Sequence, residues 1–395
     1  MTEQKQYGAD LVVDSLINHN VEYVFGIPGA KIDRVFDTLE DKGPKLIVAR
    51  HEQNAAFMAQ GIGRITGNPG VVITTSGPGI SNLATGLVTA TDEGDPVLAI
   101  SGQVKRCDLL KRSHQSMKNV AMMEPVTKSA VEVHDPNTLS EIIANAYRVA
   151  KSGRRGASFI SIPQDVTDSL VSVKAIKPLT DPKFGSASVD DVNYLAQAIR
   201  NAELPVLLLG NGASTRAVTK SIRKLLEAVK LPVVETFQGA GIVSRELEED
   251  TFFGRVGLFR NQPGDMLLEK ADLVIAIGYD PIEYEARNWN AEISARIIVI
   301  DVAQAEVDTY FQPERELIGD IADTIDLLLP AVNDYTLPKA SVDYLQNLKK
   351  NVVEDVKFDR ASNPGVVHPL DVIDVMQDNI TDDMTVTVDV GSHYI

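Results

Sequence analysis

The chain has 395 residues, too many for one ordinary core, so two or three domains are expected. Lys plus Arg number 38 and Asp plus Glu 55, a net charge of −17; so acidic a surface argues against nucleic acid and anionic membranes as partners. The longest apolar runs, such as ADLVIAIGY, fall far short of the roughly 20 residues that span a bilayer, and a single cysteine, Cys107, excludes an intramolecular disulfide and a cysteine metal cluster.

The first residues, MTEQKQYGAD, carry no basic stretch followed by an apolar core, so no secretory leader is expected and the cytoplasm is the expected compartment. Short β-branched runs then alternate with helical patterns, which predicts α/β units built on parallel sheets. Strands are predicted over 21–27, 45–50, 70–76, 96–102 and 157–163, with helices around 7–19, 52–66, 80–91 and 138–151. This first domain is expected over 1–173, and the stretch KAIKPLTDPKFGSASVDD (174–191) reads as a linker. A second α/β domain is expected over 192–330, with strands at 205–210, 232–237, 272–278 and 296–302 and a helix over 219–230. Residues 331–366 read as a further linker. A third unit opens at 367 with a helix over 368–379 and a strand over 384–391. One helix and one strand bury no independent core. Residues 367–395 are therefore expected either to dock on the rest of the chain or to begin a third α/β domain that is incomplete here.

Three segments of the first domain lie at carboxyl ends of predicted strands, where open α/β sheets bind ligands: FGIPGAK (25–31), RHE (50–52) and TTSGPGISNLATG (74–86). Ser76-Gly77-Pro78-Gly79 leads into a helix whose first turn carries Ser81 and Asn82. Glycine permits a tight turn and close backbone approach, and the helix start offers free N–H groups. The segment reads as a ligand-contacting loop or as a plain βα turn, and the same two readings hold for Pro28 between Gly26 and Gly29. Glu52 is less ordinary. It opens a helix that continues with Ala55, Ala56, Phe57, Met58 and Ala59, read as buried. A carboxylate there is costly unless something pairs with it. The helix dipole with Arg50 is one partner; a cofactor nitrogen is another.

The stretch KRCDLLKRSHQSMK (105–118) brings together Lys105, Arg106, Lys111, Arg112 and Lys118, as an anion site or as a solvated face. LLLGNGAS (207–214) holds Gly-x-Gly after a strand, but Thr215 stands where a dinucleotide fingerprint has its third glycine, so a plain βα turn is the better reading. The sequence contains no HExxH, CxxC, GxSxG or GxxxxGK[ST], and its 6 His do not fall at metal-ligand spacing. Zinc proteases, elbow-type serine hydrolases and P-loop NTPases are poor candidates.

Taken together, FGIPG, RHEQNAAFMAQGIGR, TSGPGISN, EGDPVLAISG and SIPQDV, in that order and spacing, resemble the thiamine diphosphate-dependent decarboxylases and synthases. VKRCDLLKRSHQSM, GRVGLFRNQPGD, IGYDPIEYEARNWN and TVTVDVGSHYI are similar to the catabolic acetolactate synthases, which join two pyruvates into 2-acetolactate and release carbon dioxide. The resemblance implies a pyrimidine-binding first domain and a Rossmann-like middle domain. It implies that Glu52 hydrogen-bonds N1′ of the cofactor's aminopyrimidine. It also implies that Pro28, Gly29, Ser76, Gly77, Pro78, Gly79 and Asn82 surround that ring. Gln115 and Lys31 match residues that hold pyruvate, and Val390, Gly391, Ser392 and His393 match the loop that begins the diphosphate site. The family builds its active sites between subunits, so a homodimer or homotetramer is implied.

Two departures matter. Biosynthetic relatives bind FAD in the middle domain; the segments here follow the branch without it, so no FAD is expected. The family binds Mg²⁺ and diphosphate through Gly-Asp-Gly and a later Asn in the third domain. No Gly-Asp-Gly occurs here: Gly94-Asp95, Gly264-Asp265 and Gly319-Asp320 lack the second glycine. The chain therefore reads as cut inside the third domain, inactive as it stands, with its metal site in the part beyond. A pyruvate oxidase, an oxoacid decarboxylase, or a non-catalytic nucleotide-binding or regulatory protein are the competing readings.

Overall fold

Parallel β-strands covered by helices dominate the computed structural model, which describes residues 5–109, 111–257, 262–355, 365, 367–381 and 384–387. The chain divides into two compact units, residues 1–184 and 185–395.

The first unit holds β1 (Tyr23–Ile27), β2 (Lys45–Val48), β3 (Gly70–Thr74), β4 (Val97–Gln103), β5 (Ser129–Glu132) and β6 (Ala157–Pro163) in one sheet of order β2-β1-β3-β4-β6-β5. Every pairing is parallel. Its helices are α1 (Gly8–Asn18), α2 (Asp33–Asp41), α3 (Glu52–Thr66), α4 (Pro78–Asp92), the short α5 (Asn119–Met123), α6 (Leu139–Lys151) and the short α7 (Gln164–Thr167). Side chains alternate across a strand, so each central strand feeds two cores. Val71, Ile73, Leu98 and Ile100 point to the side covered by α1, α2 and α6. Val72, Val97 and Ala99 point to the side covered by α3 and α4, where Ala55, Ala56, Ala59, Leu83 and Leu87 are fully buried.

The second unit repeats the plan. Strands β7 (Pro205–Leu209), β8 (Val233–Glu235), β9 (Phe252–Arg255), β10 (Leu273–Ile277), β11 (Arg296–Asp301) and β12 (Arg315–Ile318) run parallel in the order β12-β11-β10-β7-β8-β9. Helices α8 (Val189–Asn201), α9 (Arg216–Val229) and α12 (Ile321–Val332) cover one face. Helices α11 (Pro263–Lys270) and α13 (Lys339–Asp355) cover the other, and α10 (Arg245–Thr251) lies beside β9. Helix α14 (Pro369–Asn379) follows.

Four sequence expectations are corrected. The stretch 331–366, read as linker, contains α13, which packs on α11 and buries Leu345 and Leu348 in the second core. Residues 384–387, expected in a strand, pair with no strand among the described residues; 388–391 lie outside the described residues. Phe57 and Met58, read as buried, are 38% and 43% exposed, because α3 turns Ala55, Ala56 and Ala59 inward instead. Strands β5, β9 and β12 were not expected. All three are sheet edges of four residues, and β9 also carries a register shift, so none shows a continuous apolar run.

Candidate functional site

Ligands of open α/β sheets bind where the strand order reverses, outside the carboxyl ends of the strands. In the first sheet that point lies between β1 and β3, since the chain steps to β2 on one side and to β3, β4 and β6 on the other. Residues 28–31 leave β1 there and residues 75–79 leave β3. Gly29 packs directly on Thr75, and the Lys31 carbonyl rests against Gly102 at the end of β4. The site is therefore made by three neighbouring strand ends.

Glu52 stands at the first position of α3, capped by His51, whose Nδ1 accepts from the Gln53 N–H at 3.2 Å. Its Oε2 accepts from Nδ2 of Asn82 on α4 at 2.9 Å. Asn82, not Arg50, is the partner, and two helix N-termini converge on one carboxylate with their positive dipole ends. Glu52 is half-buried.

The turn before α4 is built by Gly77, with φ +65° and ψ −117°, a conformation an L side chain resists. Pro78 then takes the first helical position, where its missing N–H costs nothing. Gly79 leaves a bare cradle: a Cβ there would lie 2.5 Å from Thr74 Oγ1 and 3.4 Å from Glu52 Oε1. Around that cradle the buried hydroxyls of Thr74 and Thr75 have no hydrogen-bond partner among the described residues. Buried polar groups rarely stay orphaned. The second Glu52 oxygen, the exposed start of α4 and these hydroxyls suit a ligand that carries ring nitrogens and an amino group and approaches the strand ends from outside.

Gln115 packs on the same turn. The Ser76 hydroxyl donates to its carbonyl at 2.7 Å, its Cα and Cβ pack over Gly77, and it holds a left-handed backbone with φ +64°. Thus Pro28, Gly29, Lys31, Glu52, Ser76, Gly77, Pro78, Gly79, Asn82 and Gln115 fall at one end of one sheet. Val390, Gly391, Ser392 and His393 lie outside the described residues. The basic cluster is broken up: Arg106 bonds Asp165 and Lys111 bonds Asp108, so both are tied to carboxylates. Burial pushes Asp165 up, but the Arg106 backbone and guanidinium outweigh it and hold that carboxyl below its ordinary value. Sequence reasoning missed Thr74, Thr75 and Gln103. Gln103 carried one signal, a polar residue ending an otherwise apolar buried strand.

The second sheet reverses between β7 and β10, and there a protein carboxylate sits. Glu283 accepts from the Asn211 N–H at 3.0 Å and from the Thr236 hydroxyl at 2.5 Å. Burial raises its carboxyl above the ordinary value despite those donors. Beside it a cleft of about 760 Å³ is lined by Asp265, Glu269, Glu285 and Glu292 among others. Among the described residues no cluster of three or more His, Cys, Asp or Glu is arranged to hold a metal ion, and no helix is long and apolar enough to cross a membrane.

Fold and site together define a two-domain α/β protein whose first switch point gathers Glu52, Asn82 and the Gly77–Gly79 turn. Residues 6–122 match the family model described as thiamine pyrophosphate enzyme, N-terminal TPP binding domain, and residues 192–328 match that of the central domain. The acetolactate synthase of Bacillus subtilis is 50% identical across 99% of this chain and 68% of its own length. The catabolic acetolactate synthase of Raoultella terrigena is 44% identical across 99% of this chain and 70% of its own. The isozyme 2 large subunit of Escherichia coli acetolactate synthase is 32% identical, across 98% and 69%. The chain belongs to the acetolactate synthase family of thiamine pyrophosphate enzymes.

Proposed function

We propose that the protein is a thiamine diphosphate-dependent acetolactate synthase of the catabolic, acetoin-forming type, a transferase that decarboxylates pyruvate and joins the remainder to a second pyruvate. The observation that carries this reading is the Glu52–Asn82 pair beside the bare Gly79 cradle and the unpaired Thr74 and Thr75 hydroxyls. Thiamine diphosphate, when bound, supplies the electron sink that lets a 2-oxo acid lose carbon dioxide.

The chain's own residues do the rest. Asn82 fixes one carboxylate oxygen of Glu52, leaving the other to hold a proton at the pyrimidine ring nitrogen. Gly77, Pro78 and Gly79 with Pro28 and Gly29 shape the walls against which that ring lies, and Ser76 anchors the Gln115 backbone. Gln115 donates to pyruvate, and the Lys31 ammonium balances its carboxylate. Val390, Gly391, Ser392 and His393 open the diphosphate loop. Residues 1–173 act as the pyrimidine-binding domain, 192–330 as the central domain and 367–395 as the start of the diphosphate domain, with 174–191 and 331–366 between them.

Mg²⁺ is the expected companion of the diphosphate. Its Gly-Asp-Gly ligand motif does not occur in these 395 residues, which taken alone are expected to turn over little pyruvate. No FAD is expected in the central domain. What supports this is Glu283, a carboxylate already on the strand-end N–H group that a nucleotide phosphate would seek. A cytoplasmic homodimer or homotetramer, with active sites shared between subunits, completes the reading.

The test is a product assay on the full-length protein with pyruvate, thiamine diphosphate and Mg²⁺. Accumulation of 2-acetolactate is expected. Acetyl phosphate or free aldehyde in its place assigns an oxidase or decarboxylase and overturns the proposal. Turnover only on mixing with another chain assigns a regulatory role.

A further inference from the structure

Gln103 is 1% exposed, and it ends β4 within reach of the 115–117 turn. Its Oε1 accepts from the Val104 N–H at 2.9 Å. Its Nε2 donates to the Met117 carbonyl at 2.9 Å and reaches Glu132 Oε2 at 3.4 Å. The Ser76 hydroxyl stands 3.3 Å from Gln103 Oε1, but its single proton goes to the nearer acceptor, the Gln115 carbonyl at 2.7 Å. The carbonyls of residues 115 and 117 are thus each held from inside the sheet, on either side of Ser116. Behind them Asn119 donates to Ser161 Oγ at 3.0 Å, and Ser161 donates to Glu132 at 3.1 Å, which ties the whole network to β5 and β6. Gln115, not a glycine, sits between these anchors at φ +64°. A left-handed backbone on such a residue persists only where its surroundings impose it.

We propose that Gln103 is a positioning residue for substrate: its buried amide, working with Ser76, imposes the left-handed turn at Gln115 and so aims the Gln115 side chain over the turn at Gly77. This rests on the reading of Gln115 as a pyruvate contact.

The experiment replaces Gln103 by Met in the full-length protein, keeping length and volume while removing donor and acceptor. Amide hydrogen exchange over residues 113–119 should accelerate about five- to tenfold, the factor that corresponds to one lost hydrogen bond, with β3 unchanged. The KM for pyruvate should rise by a similar factor, with a smaller fall in kcat and no change in the thiamine diphosphate concentration needed for activation. Unchanged exchange over 113–119 overturns the proposal. Faster exchange with an unmoved KM overturns it too, provided Gln115→Ala does raise KM. If Gln115→Ala leaves KM unmoved as well, the pyruvate contact itself is what fails. Should Gln103→Met not fold, Ser76→Ala removes the other anchor without adding volume, and the same exchange criterion decides.

Discussion

Glu52 has one carboxylate oxygen committed to Asn82 and one left for a ligand, so its side chain can be changed with little effect on the helix it starts. Glu52→Gln keeps shape and removes the charge. Steady-state assays should show kcat lower by roughly 10²- to 10⁴-fold, the usual worth of a positioned proton-transfer group, with thermal unfolding unmoved. Gly79→Ala acts by volume: its methyl would stand 2.5 Å from Thr74 Oγ1, beside the Glu52 oxygen. Titration should show the thiamine diphosphate concentration for half-activation raised about tenfold or more, a cost of about 1.4 kcal/mol. Glu283 is the pH-sensitive case. Burial raises its carboxyl pKa in the folded chain, so its contribution to stability is present below the unfolded-chain value and lost as pH rises through the folded one. Glu283→Gln should therefore gain most over the parent near pH 8, and the gap should close toward pH 5. Melting curves at both values check this; a constant gap would show that no charge burden sits there.

The N-terminal half of α3 serves the site, and its C-terminal half fastens the helix. Arg64 there forks onto Asp95, which is 3% exposed, and also pairs with Glu93, while Gln60 donates to both carboxylates. Asp95→Asn breaks the fork next to a guanidinium that water partly reaches. A loss of about 2 kcal/mol is expected by urea unfolding, less than a fully buried pair would cost. Helix α13 makes a sharper test of the fold. Leu348 is 3% exposed in the second core, so Leu348→Ala should cost about 2–5 kcal/mol, whereas a leucine in a free linker would cost nothing measurable. The sequence could not mark α13 as core. Its apolar residues are spread among lysines and carboxylates, and only the packing of Leu345 and Leu348 shows what they meet. Edge strands β5 and β12 escaped for the same reason, being defined by a neighbour's hydrogen bonds rather than by apolar pattern.

Across the molecule two sheets of one plan carry opposite chemistry at their switch points. The first sets Glu52 with one oxygen bonded to Asn82 beside the Gly77–Gly79 turn; the second sets Glu283 on the Asn211 N–H at the edge of a cleft. An absorbance spectrum of the purified full-length protein should accordingly lack a flavin band, and a stoichiometric band would refute the expectation. The sequence by itself determined the parallel α/β class, because strands buried on both faces must be apolar throughout and helices must lie between them. It also determined the acid at position 52 and the Gly-Pro-Gly turn, because a carboxylate opening an apolar helix and a turn of that composition are local facts. Only the tertiary structure decided that Asn82 holds Glu52, that Gln103 reaches the 115–117 turn, and that Glu283 closes the second sheet. Those contacts join strand ends and loops far apart in sequence, and no local pattern encodes which partners folding will bring within hydrogen-bond distance.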